Sequence, residues 1–189
     1  MYRPQGLCGR GVRTGRNRMP EQRGFTLIEL LVTITVLAIV LGVGLPGLRD
    51  FVLNNRQVSA VNDMVGNLQY ARTEAVARNR TVSVCPSANG TSCSGSDWSV
   101  GWIVFNDDDG DGAMDGGDEV VLRRVEARGN LDFVSEGGIA SAVTYRRNGR
   151  AVATGNFRIC DSRGASHGKQ IVMDLAGRPR VEKLSGSCP

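Results

Sequence analysis

The chain has 189 residues, 22% charged and 41% hydrophobic, with one histidine and five cysteines, a size that allows one ordinary domain plus an anchor. Its formal net charge of +4 suggests a basic protein, but residues 1–24 hold six Arg and one Glu, so of 23 basic and 19 acidic residues only 17 and 18 remain from Phe25 onward. A uniformly basic protein is thereby excluded, and a lone histidine leaves little for acid–base catalysis or an imidazole-rich metal site.

Residues 25–45 form an almost wholly apolar run of Leu, Ile, Val, Ala and Gly with a few Thr, long enough to cross the hydrocarbon core of a bilayer as a helix. Glu29 interrupts it, and a carboxylate at membrane depth costs roughly 2.5–3.5 kcal/mol on insertion scales. In the first turn of a helix it sits at the positive end of the dipole, and a neighbouring cation would offset its desolvation. A secretory signal removed whole does not fit: the apolar run is too long, and Pro46-Gly47 follows it without an A-x-A-like site. The basic residues before the run predict a cytoplasmic leader with everything after Leu45 exported.

Pro46, among Gly42, Gly44 and Gly47, should kink or loosen the helix. Beyond it Phe51, Val58, Val61, Val65, Leu68, Ala71 and Ala75 recur at helical spacing with charged residues between them, the pattern of an amphipathic helix with one apolar face. One helix over residues 25–80 is predicted, its first half membrane or filament core and its second half, 46–80, packed on a globular domain of residues 81–189. In that domain short β-branched runs separated by Gly, Asn and Asp predict strands at 81–85, 98–106, 119–125, 130–134, 142–146, 156–160, 170–174 and 180–184. Asn148-Gly149 is a strong hairpin signal. A long N-terminal helix packed on an antiparallel sheet is an α+β fold.

The stretch Arg23-Gly24-Phe25-Thr26-Leu27-Ile28-Glu29-Leu30 resembles the class III signal of type IV pilins and pseudopilins. The element order, with Trp102-Ile103-Val104-Phe105 before an acidic loop, is similar to the GspH/FimT subgroup. The resemblance implies a pilin-like fold and a leader, residues 1–24, that a prepilin peptidase removes after Gly24, methylating the new terminus at Phe25. It further implies that Glu29 pairs with the terminal amine of a neighbouring pilin during assembly, from a single-pass position in the inner membrane with the β-domain periplasmic. Leaders in the family are shorter than this one, so translation is expected to begin at Met19, which removes Cys8.

Four cysteines then remain, Cys85, Cys93, Cys160 and Cys188, all exported, which reads as two disulfides with three possible connectivities. Sequence proximity favours Cys85–Cys93 and Cys160–Cys188. Zinc is the weaker reading, since no C-x₂₋₄-C pair is present.

In the acidic stretch of residues 107–119, Asp107, Asp109, Asp111, Asp115 and Asp118 have the spacing of an EF-hand loop, with Gly112 between them. The last ligand is Asp rather than Glu, and the flanks read as strands rather than helices. Two readings stay open, a solvated hairpin loop and a calcium site. The eight carboxylates from Asp97 to Glu119 repel one another unless a cation intervenes. No cofactor is required otherwise.

Residues 123–189 carry 12 Arg and Lys against six Asp and Glu, clustered at Arg146-Arg147-Asn148-Gly149-Arg150 and Gly177-Arg178-Pro179-Arg180. Arg on a tight Gly-bearing turn is well placed to meet phosphate. The second cluster resembles the GRxR motif of FimT-type minor pilins that bind DNA in natural transformation, which implies Arg178 and Arg180 as DNA contacts, helped by Arg146, Arg147, Arg150 and Lys183. His167 lies in a polar loop without a catalytic pattern, and no Gly-rich loop opens a helix after a strand, so neither an enzyme nor a nucleotide site is predicted. The expectation is a FimT-type minor pilin that binds DNA without reading sequence. The alternative is a structural minor pseudopilin of a type II secretion system.

Overall fold

The computed structural model describes residues 24–127 and 129–188, with backbone alone for 43–46. Residues 1–23 of the expected leader, with Met19 and Cys8, lie outside them. Two compact units, 1–45 and 46–189, divide the chain.

Helix α1 spans Leu27–Arg78 and is assigned without interruption through Pro46. Thr26 opens it: its hydroxyl oxygen accepts from the Glu29 N–H at 3.3 Å and its carbonyl from the Leu30 N–H at 3.1 Å, as an N-cap threonine does. Asn79 closes it in the left-handed region at φ 53°. The Asn79 N–H donates to the Val76 carbonyl and the Arg80 N–H to the Ala75 carbonyl, the paired bonds of a Schellman stop. In the first unit the helix exposes its apolar side chains from Leu27 to Leu41, and it is long and apolar enough to cross a membrane.

In the second unit the buried stripe of α1 runs through Gln57, Ala60, Val61, Met64, Asn67, Leu68, Ala71 and Ala75. It differs from the predicted face at one end, where Phe51 and Val58 are 62% and 48% exposed. The period is the expected one, but small and polar residues carry the stripe there. Gln57 earns its burial by donating from Nε2 to the Ile159 carbonyl at 3.2 Å, which satisfies an amide that would otherwise be costly to bury.

Eight strands follow: β1 (Val82–Pro86), β2 (Gly101–Asn106), β3 (Val121–Glu126), β4 (Asp132–Gly137), β5 (Val143–Tyr145), β6 (Gly155–Cys160), β7 (Lys169–Met173) and β8 (Pro179–Lys183). They form two four-stranded antiparallel sheets rather than one, ordered β3-β2-β1-β5 and β4-β6-β7-β8. The start of the predicted strand 98–106 is instead a single 3-10 turn at Trp98–Val100, capped by Asp97.

The apolar stripe of α1 and residues from both sheets make one core, in which Trp98, Trp102, Phe133 and Phe157 pack ring to ring at centroid distances of 4.9 to 5.8 Å. Each such fully buried side chain contributes roughly 1.5–3 kcal/mol. Cys85 is bonded to Cys93 and Cys160 to Cys188. The second bond ties the C-terminal segment to the end of β6. Beside it Arg163 reaches two ways: Nη2 donates to the buried Asp161 carboxylate at 2.6 Å, and Nη1 lies 3.7 Å from Asp50 on α1.

Candidate functional site

At the N-terminal end Gly24, Phe25 and Glu29 are all exposed. Glu29 is the third helical residue after the Thr26 cap. The spacing Thr-x-x-Glu is that of a capping box, of which the Thr26 half is formed: its hydroxyl accepts from the Glu29 N–H.

The acidic loop joins β2 to β3. Asp107, at its start, is fully buried, and its carboxylate accepts from the Ser83 hydroxyl at 2.5 Å, the Gly110 N–H at 2.7 Å and the Gly112 N–H at 2.9 Å. Burial pushes its pKa above the usual 3.8, against the opposing pull of those donors. Farther along, Asp109 accepts from the Asp111 N–H, Asp111 from the Ala113 N–H, and Glu119 from the N–H groups of Asp108 and Asp115.

Carboxylate oxygens converge within 4.8 Å of one another in two groups, Asp107 with Asp109 and Glu119, and Asp109 with Asp111 and Asp115. The five residues of the EF-hand spacing therefore do not form one cage: Asp118 stands in neither group, and Glu119 belongs to one. The reason lies in the flanks, because a loop between paired strands bends back on itself and brings Glu119 beside Asp108.

The basic clusters occupy two turns. In the first, the Gly149 N–H donates to the Arg146 carbonyl at 2.7 Å and the Arg146 N–H to the Arg150 carbonyl at 2.9 Å. That closes a tight turn and returns the chain to bridge Tyr145 with Ala151. In the second, the Gly177 N–H donates to the Asp174 carbonyl at 2.9 Å between β7 and β8. Both glycines sit at positive φ, 75° and 73°, which only glycine adopts cheaply.

The turns touch. A β-carbon at Gly177 would lie 2.6 Å from the Gly149 carbonyl oxygen and 3.0 Å from the Tyr145 ring. Contact at that range sets the turn of Arg146, Arg147 and Arg150 beside the turn of Arg178 and Arg180, although Arg146 and Arg147 line a separate hollow with Asp108 and Asp109 of the acidic loop. All five are exposed, and none of their guanidinium groups has a hydrogen-bond or carboxylate partner among the described residues. Lys183 does not join them. It lies three residues along β8 from Arg180, opposite Lys169, and the alternation of a strand turns it to the other face roughly 10 Å away.

The sequence reading missed one residue of this site, Arg72, whose Nε donates to the same Gly149 carbonyl at 2.7 Å. A cavity of 480 Å³ is lined by Gln69, Arg72, Thr73, Gly177, Arg178 and Arg180. Nothing in the local pattern singles Arg72 out, since it is one of several arginines on the polar side of α1.

The family model described as Type II transport protein GspH matches residues 60–177, and that of the prokaryotic N-terminal methylation motif matches residues 19–45. Among solved structures the chain is similar to the type IV minor pilin FimU of Pseudomonas aeruginosa in two crystal forms. One is 24% identical with a TM-score of 0.53 over 69% of this chain and 95% of that one. The other is 25% identical with a TM-score of 0.55 over 73% and 96%. The minor pseudopilin EpsH of Vibrio cholerae is 10% identical with a TM-score of 0.46 over 68% and 97%. No match is found among curated protein sequences.

Proposed function

The chain belongs to the GspH family of pilin-like proteins and is a structural subunit of the minor pilin or pseudopilin type, and from that premise we propose that it serves in a type IV pilus and holds DNA there without reading sequence. The likeness at 25% identity to a type IV minor pilin supports the pilus over the secretion machine. The observation that carries DNA is the contact of the two turns, which sets exposed Arg178 and Arg180, their guanidinium groups unpaired, beside the turn that carries Arg146, Arg147 and Arg150. Such groups meet phosphate in a planar, two-oxygen geometry, and phosphate contacts position a protein without reading bases. Arginine on turns therefore gives backbone affinity without sequence preference.

The test is fluorescence anisotropy of random-sequence duplex DNA with the full mature chain in detergent micelles over a range of salt. The logarithm of affinity should fall with that of salt, by about 0.9 per phosphate neutralised. Absence of salt-sensitive binding at low ionic strength would leave the structural pseudopilin as the better reading.

Processing completes the proposal. A peptidase cut after Gly24 predicts a mature protein that begins at methylated Phe25 by mass spectrometry and an uncut precursor for Gly24→Asp. Glu29→Ala should insert normally and fail in filament incorporation. A mature terminus elsewhere, or normal incorporation of Glu29→Ala, would contradict these assignments.

A further inference from the structure

The Gly149 carbonyl oxygen is a junction of three elements. Arg72 of α1 donates to it from Nε at 2.7 Å, it belongs to the first basic turn, and the second turn rests against it at Gly177. With Nε committed, the two Nη groups of Arg72 have no hydrogen-bond partner among the described residues, and Arg72 lines the 480 Å³ cavity together with Arg178 and Arg180. The nearby carboxylate of the second turn, Asp174, accepts from the Arg178 backbone N–H at 3.5 Å and bonds to none of the three guanidinium groups. Three arginines around one hollow, none neutralised, repel one another until an anion enters. The volume far exceeds the ~30 Å³ share of one water, so a tetrahedral oxyanion and its hydration fit.

We infer that Arg72 is the third arm of an anion site with Arg178 and Arg180, and that this site seats one phosphate group between α1 and the turn that carries Gly177. The inference rests on the reading of Arg178 and Arg180 as DNA contacts and adds to it a ligand unit and a residue from a different element. Tethering through Nε fixes the orientation of the Arg72 fork before the phosphate arrives, so little side-chain freedom is lost on binding. Arg178 and Arg180 lack such a tether. The competing role for Arg72 is a purely structural one, holding the first turn to the helix.

Two probes separate these roles on the full mature chain in detergent micelles, duplex DNA of random sequence and inorganic phosphate. Arg72→Gln keeps an N–H donor for the Gly149 carbonyl and removes the charge. It should lower the salt slope of duplex binding by about one, and Arg72→Lys should restore it. Phosphate at tens of millimolar, against chloride of equal ionic strength, should raise the melting temperature of the parent by about 2 °C more than that of Arg72→Gln. The difference between the two proteins is the readout because phosphate stabilises folded proteins generally.

If Arg72→Gln keeps the parent slope and the parent phosphate shift while Arg178→Gln weakens binding, the inference fails and the DNA reading stands. If the parent ignores duplex DNA yet shows the Arg72-dependent phosphate shift, the DNA reading fails and the anion site stands. Loss of both readouts in the parent overturns both. Should Arg72→Gln melt lower in chloride, Arg72→Lys decides: recovery of the melting temperature without recovery of the slope would make Arg72 a structural tie only.

Discussion

In the acidic loop of residues 107–119 the carboxylates bond to the loop's own backbone: Asp107 accepts from Gly110 and Gly112, Asp111 from Ala113, and Glu119 from Asp108 and Asp115. In the basic turns at 146–150 and 177–180 the bracing comes from backbone bonds and from the Asn148 and Asp174 side chains, and no guanidinium of Arg146, Arg147, Arg150, Arg178 or Arg180 bonds to a described residue. Both regions are glycine-bearing, like-charged and set between strands, yet one spends its charge inward and the other keeps it outward. The asymmetry is chemical. A short Asp side chain reaches the backbone N–H two or three residues on, whereas the long Arg side chain carries its donors past the carbonyls of its own turn. A run of Asp can therefore brace itself, whereas a run of Arg on a tight turn stays free for an external anion.

The comparison breaks most severely at Asp107. Asp107→Ala would leave two loop N–H groups without their acceptor and the Ser83 hydroxyl with Thr144 alone, at a cost of roughly 3 kcal/mol, measured by urea unfolding. A loss under about 0.5 kcal/mol would mean that the loop is not braced from its first residue.

The second effect is at the other buried carboxylate, Asp161, whose pKa hydrogen bonds from Arg163 hold below the usual 3.8. A lowered folded-state value stabilises the fold in full above 3.8, and that contribution is lost as pH falls through the folded value. Asp107, raised by burial, acts in the opposite sense, its contribution being greatest below 3.8 and falling as pH rises. The difference in stability between the parent and Asp161→Asn, in which Asp107 cancels, should therefore be largest near neutrality and shrink as the pH drops below 3.8. At neutral pH, removing one partner of such a pair costs roughly 3 kcal/mol, the low end for buried pairs because the Arg163 side chain is 12% exposed. A difference independent of pH would show that the pair does not hold the fold.

Much of this architecture was legible because it is local. Alternating β-branched runs located all eight strands to within a few residues, as with 170–174 against Lys169–Met173. The change from the pilin-like N-terminal motif to amphipathic spacing likewise located α1. What escaped is long-range. That β1 pairs with β5 while β4 pairs with β6, splitting the strands into two sheets, depends on partners far apart in the chain that no window sees. The same is true of the site: Arg178 and Arg180 announce themselves by a short motif, but Arg72 enters through a bond to a carbonyl 77 residues away. Glu119 replaced Asp118 beside the other carboxylates for a related reason, since the EF-hand count assumes flanking helices and the loop here joins strands.

A smaller effect tests whether the acidic loop needs a cation as well as its own N–H groups. Asp111→Ala removes one exposed hydrogen bond and should cost about 0.5 kcal/mol. If the loop takes calcium, calorimetric heat at millimolar calcium should vanish in Asp111→Ala and persist in Asp118→Ala, because Asp111 converges with Asp109 and Asp115 whereas Asp118 stands apart. No heat in the parent would leave the loop braced by its backbone alone.

The smallest effect on stability belongs to the arginines, and it is the sharpest test of their outward role. Arg178 and Arg180 are exposed and bond through their side chains to no described residue, so replacing both by Gln should leave the unfolding midpoint nearly unchanged, exposed charges being worth at most a few tenths of a kcal/mol. Gly177, which packs against the first turn, is untouched by the change, so the geometry of the junction survives. Binding should respond instead: with two fewer phosphates neutralised, the salt slope on duplex DNA should fall by about two. The fall should be the same for any base sequence, because phosphate contacts position a protein without reading bases. A double variant that binds as the parent does would remove DNA from the account of these turns. One that binds less but also melts markedly lower would assign the arginines to the fold, and the contrast with the self-bonded acidic loop would disappear.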